Sequence, residues 1–332
     1  MRIMICDYQI DLERNLEYEK ELLLSAFPDA EISIFMYSED RKTDFLALLK
    51  DTDAVINTYV PFDREVLSAC GKMKCIALNS MGLDTVDIQA ATEFGIMVCP
   101  VAEYCTDEVA EHTVALIFAL SRGLKLYTRD IEKHIWNYQS AGKLRRLRGQ
   151  TMTIFGFGHI GRAVAARSQG MGIHVQVVSH SLGDYEAQEL GVVKVDWKTA
   201  MKSSDIISNH LSFNRQTAGY FDLGKFKCAE KSPLFINTGR GGTVVQEDLI
   251  KALDLGYLRG AGLDVLEAEN TDLSKLALLG RDNVILTPHA AFYSIQSAKE
   301  LQRISCANVI CALTGRYDQI TKLANPTAAG RR

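Results

Sequence analysis

Thr153-Ile154-Phe155-Gly156-Phe157-Gly158-His159-Ile160-Gly161 is the stretch on which the reading of this 332-residue chain turns. Thr151–Phe155 is a short apolar run without proline and predicts a strand. Ile160, Ala163, Val164 and Arg167 follow at helical spacing until Gly170 and Gly172 interrupt it. A strand that passes into a helix through G-x-G-x-x-G is the sequence form of a dinucleotide site. Gly156 permits the tight turn, Gly158 leaves the backbone bare for a pyrophosphate, and Gly161 lets the helix pack close to the strand. The unpaired N–H groups at the helix start then face the phosphates, so residues Gly156, Phe157, Gly158, His159, Ile160 and Gly161 are the expected cofactor loop.

Apolar segments downstream at residues 174–178, 192–195, 205–209, 233–237, 261–263 and 284–287 complete one doubly wound parallel sheet. Upstream, segments at 2–6, 32–35, 54–57, 75–78 and 96–99 alternate with amphipathic stretches and predict a second such sheet. The fold class is therefore α/β, with two Rossmann-like domains. Pro100 marks the expected crossing into the dinucleotide domain, residues 100–292, and Thr106 is read as the cap of a long helix. A helical pattern over 293–314 is expected to return the chain to the first domain, residues 1–99 and 293–332, with a frayed tail from Asn325.

Bulk properties narrow the function. A net charge of −4 gives no reason to expect nucleic acid, and the longest apolar run, 114–120, is too short to span a membrane. The basic run Lys143-Leu144-Arg145-Arg146-Leu147-Arg148 reads as a solvated face, with phosphate binding as its alternative. Eight scattered cysteines without C-x-x-C spacing fit reduced thiols and a cytoplasmic protein, and no metal site is expected.

Chemistry gathers at strand ends, where ligands of parallel sheets collect. Thr58-Tyr59-Val60-Pro61 and Ser80-Met81-Gly82 end two strands of the first domain. Gly82 would let adjacent amides converge on an anion. In the second domain stand Asn237-Thr238-Gly239-Arg240-Gly241-Gly242, then Asp264-Val265-Leu266-Glu267-Ala268-Glu269, then Thr287-Pro288-His289. The glycines beside Arg240 would leave its guanidinium room to project, and that planar fork suits a carboxylate.

In this order, behind G-x-G-x-x-G, these motifs resemble the D-isomer-specific 2-hydroxyacid dehydrogenase family over nearly the whole chain. The resemblance implies a flavodoxin-like first domain completed by the C-terminal helix. It implies catalytic Arg240, Glu269 and His289, a substrate loop with Tyr59 and the amides of Met81 and Gly82, and Asp264 on the nicotinamide carboxamide. Ser179, His180, Ser181, His210, Thr217 and Thr238 complete the expected cofactor site. A closer likeness, to the branch holding C-terminal-binding-protein corepressors, rests on residues 58–61, 103–112 and 289–294. Three departures stand out: Ser212 and Asn270 replace prolines, and Phe292 or Tyr293 replaces a glycine.

The activity so implied is hydride transfer between NAD(P)H and a small 2-oxo acid or its D-2-hydroxy acid. Arg240 would grip the carboxylate and polarise the carbonyl, and His289, paired with Glu269, would move the proton. Closure about hinges near Pro100 and Phe292 would exclude water, and a homodimer through the long helix after Thr106 is implied. The rival reading is a nucleotide-sensing binding protein of the corepressor type. NADP(H) is expected ahead of NAD(H), because Ser179 occupies the position where an acid would bind the ribose hydroxyls. Asp184 or Glu186 could fold back to replace that acid.

Overall fold

The computed structural model describes residues 1–268 and 272–329. The chain divides into two compact units, one of residues from Met1–Tyr104 and from Ser294 onward, the other Cys105–Tyr293. Pro100 lies inside the first unit: Val101 after it is buried and donates its N–H to Ser80 O at 2.9 Å.

In the first unit, β1 (Arg2–Asp7), β2 (Glu31–Met36), β3 (Ala54–Asn57), β4 (Cys75–Leu78) and β5 (Met97–Cys99) form an all-parallel sheet in the order β2-β1-β3-β4-β5. This is the flavodoxin-like order. β3 and β4 are buried at every position, which explains their unbroken apolar sequence. One face packs on Phe45, Phe62, Leu67 and Ile96. The other is closed by Cys306, Val309 and Ala312 of the helix Ile295–Thr314. That helix starts in a capping box at Ser294 and Ser297.

The expectation of a frayed tail from Asn325 is corrected through Ala329. Asn325 is buried, accepts from Val98 N at 2.9 Å, and donates to Ile96 O at 2.9 Å and Thr92 Oγ1 at 3.1 Å. A side-chain amide with both ends satisfied fastens a segment whose composition looks loose.

In the second unit, β6 (Thr151–Phe155), β7 (His174–Val178), β8 (Val193–Lys194), β9 (Ile206–Asn209), β10 (Leu234–Asn237), β11 (Gly260–Leu263) and β12 (Val284–Leu286) make a parallel sheet ordered β12-β11-β10-β9-β6-β7-β8. The order reverses between β6 and β9, and the glycine loop leaves β6 at that switch point. The helix Thr106–Ser121 covers one face with Ala110, Leu116 and Ile117. Its N-cap is Cys105, not Thr106, which is already helical. A second helix, Leu124–Glu132, follows without a counterpart in the sequence reading.

Candidate active site

The glycine loop is sterically tight at two of its three glycines. Gly156 has φ +88, and a Cβ there would lie 2.6 Å from His210 O. A Cβ on Gly161 would lie 2.4 Å from Gly156 O, so the helix His159–Gly170 is pressed against the turn. A Cβ on Gly158 would meet nothing within 4 Å, so this glycine faces open space. The helix cap at Gly158 has no side chain on it, which leaves the helix N-terminus to a ligand. A pyrophosphate fits this donor set.

Past β7, the Ser179 and Ser181 hydroxyls lie 3.3 Å apart on the surface with exposed His180 between them. Each nearby acid lies beside a basic side chain. Glu186 Oε1 pairs with Arg162 at 2.7 Å, and the almost fully exposed Asp184 lies 3.9 Å from Lys194. His210 turns its Nε2 to Ser208 Oγ at 2.8 Å and buries Nδ1 without a partner. Burial pushes its pKa down to about 4, so the ring is neutral at pH 7. Thr217 donates to Ser212 O at 2.6 Å and so folds its own loop.

The loops of Arg240 and His289 leave the carboxyl ends of β10 and β12, two strands separated by β11. After β10, the half-buried Arg240 donates from one guanidinium nitrogen to Gly239 O at 2.9 Å and pairs with no described carboxylate. The flanking glycines serve a different purpose from the one expected. A Cβ on Gly241 would lie 1.7 Å from Leu266 O, so Gly241 admits the neighbouring backbone and does not clear room for the arginine. After β12, His289 adopts φ +51, a left-handed conformation that costs a non-glycine residue roughly 1 kcal/mol or more. Its N–H donates to Asp264 O at 2.8 Å, and its ring meets Phe292 edge-on at 6.2 Å between centroids. Glu269 lies outside the described residues.

Asp264 proves to be the keystone of the histidine loop. Its carboxylate is buried and accepts from Thr287 Oγ1 at 2.5 Å, Ala290 N at 2.9 Å and Ala291 N at 2.9 Å. These donors fix residues 287–291 and hold His289 in its strained backbone. His112 Nε2 lies 3.0 Å from Thr287 Oγ1. The single hydroxyl proton of Thr287 already goes to Asp264, so His112 is the donor. Its neighbour Thr113 donates to Val109 O at 2.7 Å and lies 2.8 Å from Thr238 Oγ1, which must donate to it in turn. Consecutive residues of one helix thus hold the loops of His289 and Arg240. His112 ends the stretch 103–112 that carries the closer family likeness, but nothing in the sequence named the partner of either residue.

In the first unit, Asp7 at the end of β1 accepts from Tyr59 N at 2.9 Å and Thr58 Oγ1 at 2.7 Å, which shapes the Tyr59 loop. Arg14 links Asp7 to Glu19, at 3.1 Å and 3.0 Å. Glu19 accepts from Asn79 Nδ2 at 3.1 Å, directly before Ser80. Ser80 Oγ donates to Gly82 O at 3.0 Å, and neither Met81 N nor Gly82 N meets an acceptor among the described residues. Two adjacent unused amides are what an anion cradle requires.

A glycine-loop α/β unit with an arginine and a histidine at the carboxyl ends of its strands has the make-up of an NAD(P)-linked oxidoreductase. Comparison with known proteins takes this further. Residues 114–291 match the D-isomer specific 2-hydroxyacid dehydrogenase, NAD binding domain. The chain is 31% identical over 280 residues to a glyoxylate reductase of Thermococcus litoralis, covering 81% of this chain and 83% of that one. It is 31% identical to a D-3-phosphoglycerate dehydrogenase of Mycobacterium leprae, of which it spans 52%. A D-lactate dehydrogenase from Aquifex aeolicus, solved with NAD and lactic acid, superposes with a TM-score of 0.85 at 26% identity, over 97% of this chain and 99% of that one. The chain belongs to the D-isomer-specific 2-hydroxyacid dehydrogenase family and is an NAD(P)-linked oxidoreductase acting on 2-oxo and 2-hydroxy acids. The corepressor-type reading is not favoured.

Proposed function

We propose that the protein is a reductase of small 2-oxo acids, of glyoxylate to pyruvate size, that prefers NADPH. The observation that carries this reading is Arg240, a half-buried guanidinium at a strand end with no described carboxylate to neutralise it. A substrate carboxylate is the natural partner for such a fork. Arg240 also polarises the carbonyl, and His289 donates the proton that the carbonyl oxygen takes up. Glu269 holds the imidazolium, and Asp264 acts by shaping the loop of His289. The amides of Met81 and Gly82 and the Tyr59 side chain belong to the substrate loop, so the first unit is the substrate domain. The bound dinucleotide supplies the hydride. Phe292 beside His289 favours compact substrates, in keeping with the glyoxylate reductases among the relatives.

NADPH preference is supported by the absence of a carboxylate at Ser179 and by the engagement of Glu186 with Arg162. A homodimer is proposed through the helices Thr106–Ser121 and Leu124–Glu132. Phe118 and Ile131 on these helices, and Ile135, Trp136 and Tyr138 in the segment that follows, expose apolar surface. Steady-state kinetics with a panel of 2-oxo acids and both reduced cofactors tests the assignment. Turnover of glyoxylate or pyruvate with NADPH is expected. Activity confined to large or phosphorylated acids, or a tenfold preference for NADH, overturns the corresponding half.

A further inference from the structure

Arg14 stands between two loops of the first unit that leave different strands. Asp7, the last residue of β1, gives its carboxylate to the loop after β3: it accepts from Thr58 N at 3.1 Å, Thr58 Oγ1 at 2.7 Å and Tyr59 N at 2.9 Å. Glu19, in the first turn of the helix Leu16–Ala26, accepts from Asn79 Nδ2 at 3.1 Å, where β4 passes into the Ser80-Met81-Gly82 loop. The Arg14 guanidinium reaches both acids, at 3.1 Å and 3.0 Å, and also donates to Asp11 O at 2.6 Å. The helix Ile295–Thr314 braces each end. Gln302 donates to Asn15 O at 3.0 Å beside Arg14, and Ser305 donates to Asn79 Oδ1.

As a device for stability this arrangement is poor. The side chains of Asp7 and Glu19 are fully buried and that of Arg14 is 17% exposed, so three charged groups have given up most of their water. Well-packed apolar residues in place of such a buried network are often neutral or stabilising. Arg14 Nη2 and Glu19 Oε2 are buried with no hydrogen-bond partner among the described residues, which adds to the cost. Two carboxylates also face one guanidinium, and burial followed by the charge of Asp7 pushes the carboxyl of nearby Asp11 up to about 6. What the charges do achieve is register. In the order β2-β1-β3-β4-β5 the switch point falls between β1 and β3, where ligands of parallel sheets bind, and Asp7 and Thr58 stand on its two sides. The next loop along the sheet, after β4, is tied in through Arg14, Glu19 and Asn79.

We propose that Arg14, with Asp7, Glu19 and Asn79, forms a positioning set that holds the Tyr59 loop and the Met81–Gly82 cradle in one register for the substrate carboxylate. The inference rests on the reading of those two loops as the substrate loops. The four residues act through the loops and leave the chemistry to Arg240 and His289. Their loss therefore weakens the grip on the substrate more than it slows its conversion, and the effect appears in KM ahead of kcat.

Steady-state kinetics of the full chain, with NADPH and the 2-oxo acid it reduces best, tests the proposal beside thermal melting. The double variant Arg14→Met/Glu19→Gln removes one charge of each sign, while the new amide oxygen can still accept from Asn79. Its melting temperature should stay near that of the parent or rise, yet KM for the 2-oxo acid should increase roughly tenfold, with a smaller fall in kcat and unchanged affinity for NADPH. Arg14→Lys keeps the charge but cannot reach both acids with a fork, and should recover only part of the loss. Ser305→Ala, which removes the brace on Asn79 alone, should raise KM several-fold. These two single variants carry the same test if the double variant does not fold. Unchanged KM in the folded variants overturns the proposal, and so does a fall in kcat and melting temperature that matches the rise in KM, the mark of general loosening. Tyr59→Ala separates this outcome from a wrong assignment of the loops. If it raises KM while the Arg14 variants do not, only the positioning set is refuted; if it leaves KM unchanged, the substrate-loop reading falls and the positioning set with it.

Discussion

Arg240 and His210 show how one side chain's surroundings set its task. The guanidinium of Arg240 is half-buried beside its own loop carbonyl, with no described acid to meet its charge. Arg240→Ala should lower kcat/KM for 2-oxo acids by roughly 10²–10³-fold or more, the scale of about 3–5 kcal/mol for removing one member of a desolvated ion pair. Cofactor affinity, read by quenching or calorimetry, should change little. Arg240→Lys should recover only part of the loss, because an ammonium cannot make two parallel bonds. Near-normal turnover by the alanine variant would refute the assignment. His210 is the opposite case, a ring kept neutral. An unfolded histidine titrates near 6.5, whereas burial holds this one at about 4. Between those values the unfolded state binds more protons. Stability is therefore fully present above about pH 6.5 and declines as the pH falls toward 4, by at most about 3 kcal/mol. His210 as a residue is only partly buried, and water at its reachable atoms reduces that ceiling. His210→Gln should flatten the melting temperature between pH 7 and 4.5, and an unaltered slope would mean that another group dominates the acid limb.

The helix Thr106–Ser121 is the element that ties the site together. His112 donates to Thr287 and Thr113 accepts from Thr238, so one turn supports the loops of His289 and Arg240 separately. Thr287→Val would strip a donor from Asp264 and leave His112 without its acceptor, so kcat should fall by about 10–100-fold with little change in cofactor affinity. Thr287→Ser should restore most of it. Thr113→Val should affect the arginine loop alone and raise KM more than it lowers kcat. Equal effects of both substitutions on both constants would argue for general loosening. These contacts also mark the boundary of what the sequence disclosed. The buried parallel strands were legible because burial on both faces writes them as continuous apolar runs, as in β3 and β4. The glycine loop was legible because Gly156 and Gly161 each answer a steric demand at a fixed spacing. The contacts of His112 and Thr113 were not, because their partners lie far along the chain, and the Asp7–Arg14–Glu19 chain was not, because no local period reports it. Asp264 was recognised, yet its hydrogen bonds to Thr287, Ala290 and Ala291 are a tertiary fact. The docked tail fails for the same reason, since Asn325 is an ordinary loop residue until Ile96 and Val98 come alongside.

At the scale of the whole molecule, the two units differ in how the chain assembles them. The second is one continuous segment, Cys105–Tyr293, and both faces of its sheet are covered from within that segment. The first is built from two separated pieces. Residues up to Tyr104 cover one face of its sheet, while the other face, with Ile3, Ile5, Ile56 and Ala77, is closed by Cys306, Val309, Ala312 and Ala328. A parallel sheet needs both faces buried, and each large apolar side chain left bare forgoes about 1.5–3 kcal/mol. Losing several such contacts is comparable with the ~5–15 kcal/mol by which a domain is ordinarily stable. A fragment of residues 105–293 should therefore fold alone, melt cooperatively and bind NADPH. A fragment of residues 1–104 should show no cooperative melting transition by circular dichroism. Joining residues 294–329 to its end through a short flexible linker should restore one. A cooperative transition in 1–104 alone would show that the helix Ile295–Thr314 merely decorates the first unit, and failure of 105–293 to fold would show that its core depends on the rest of the chain.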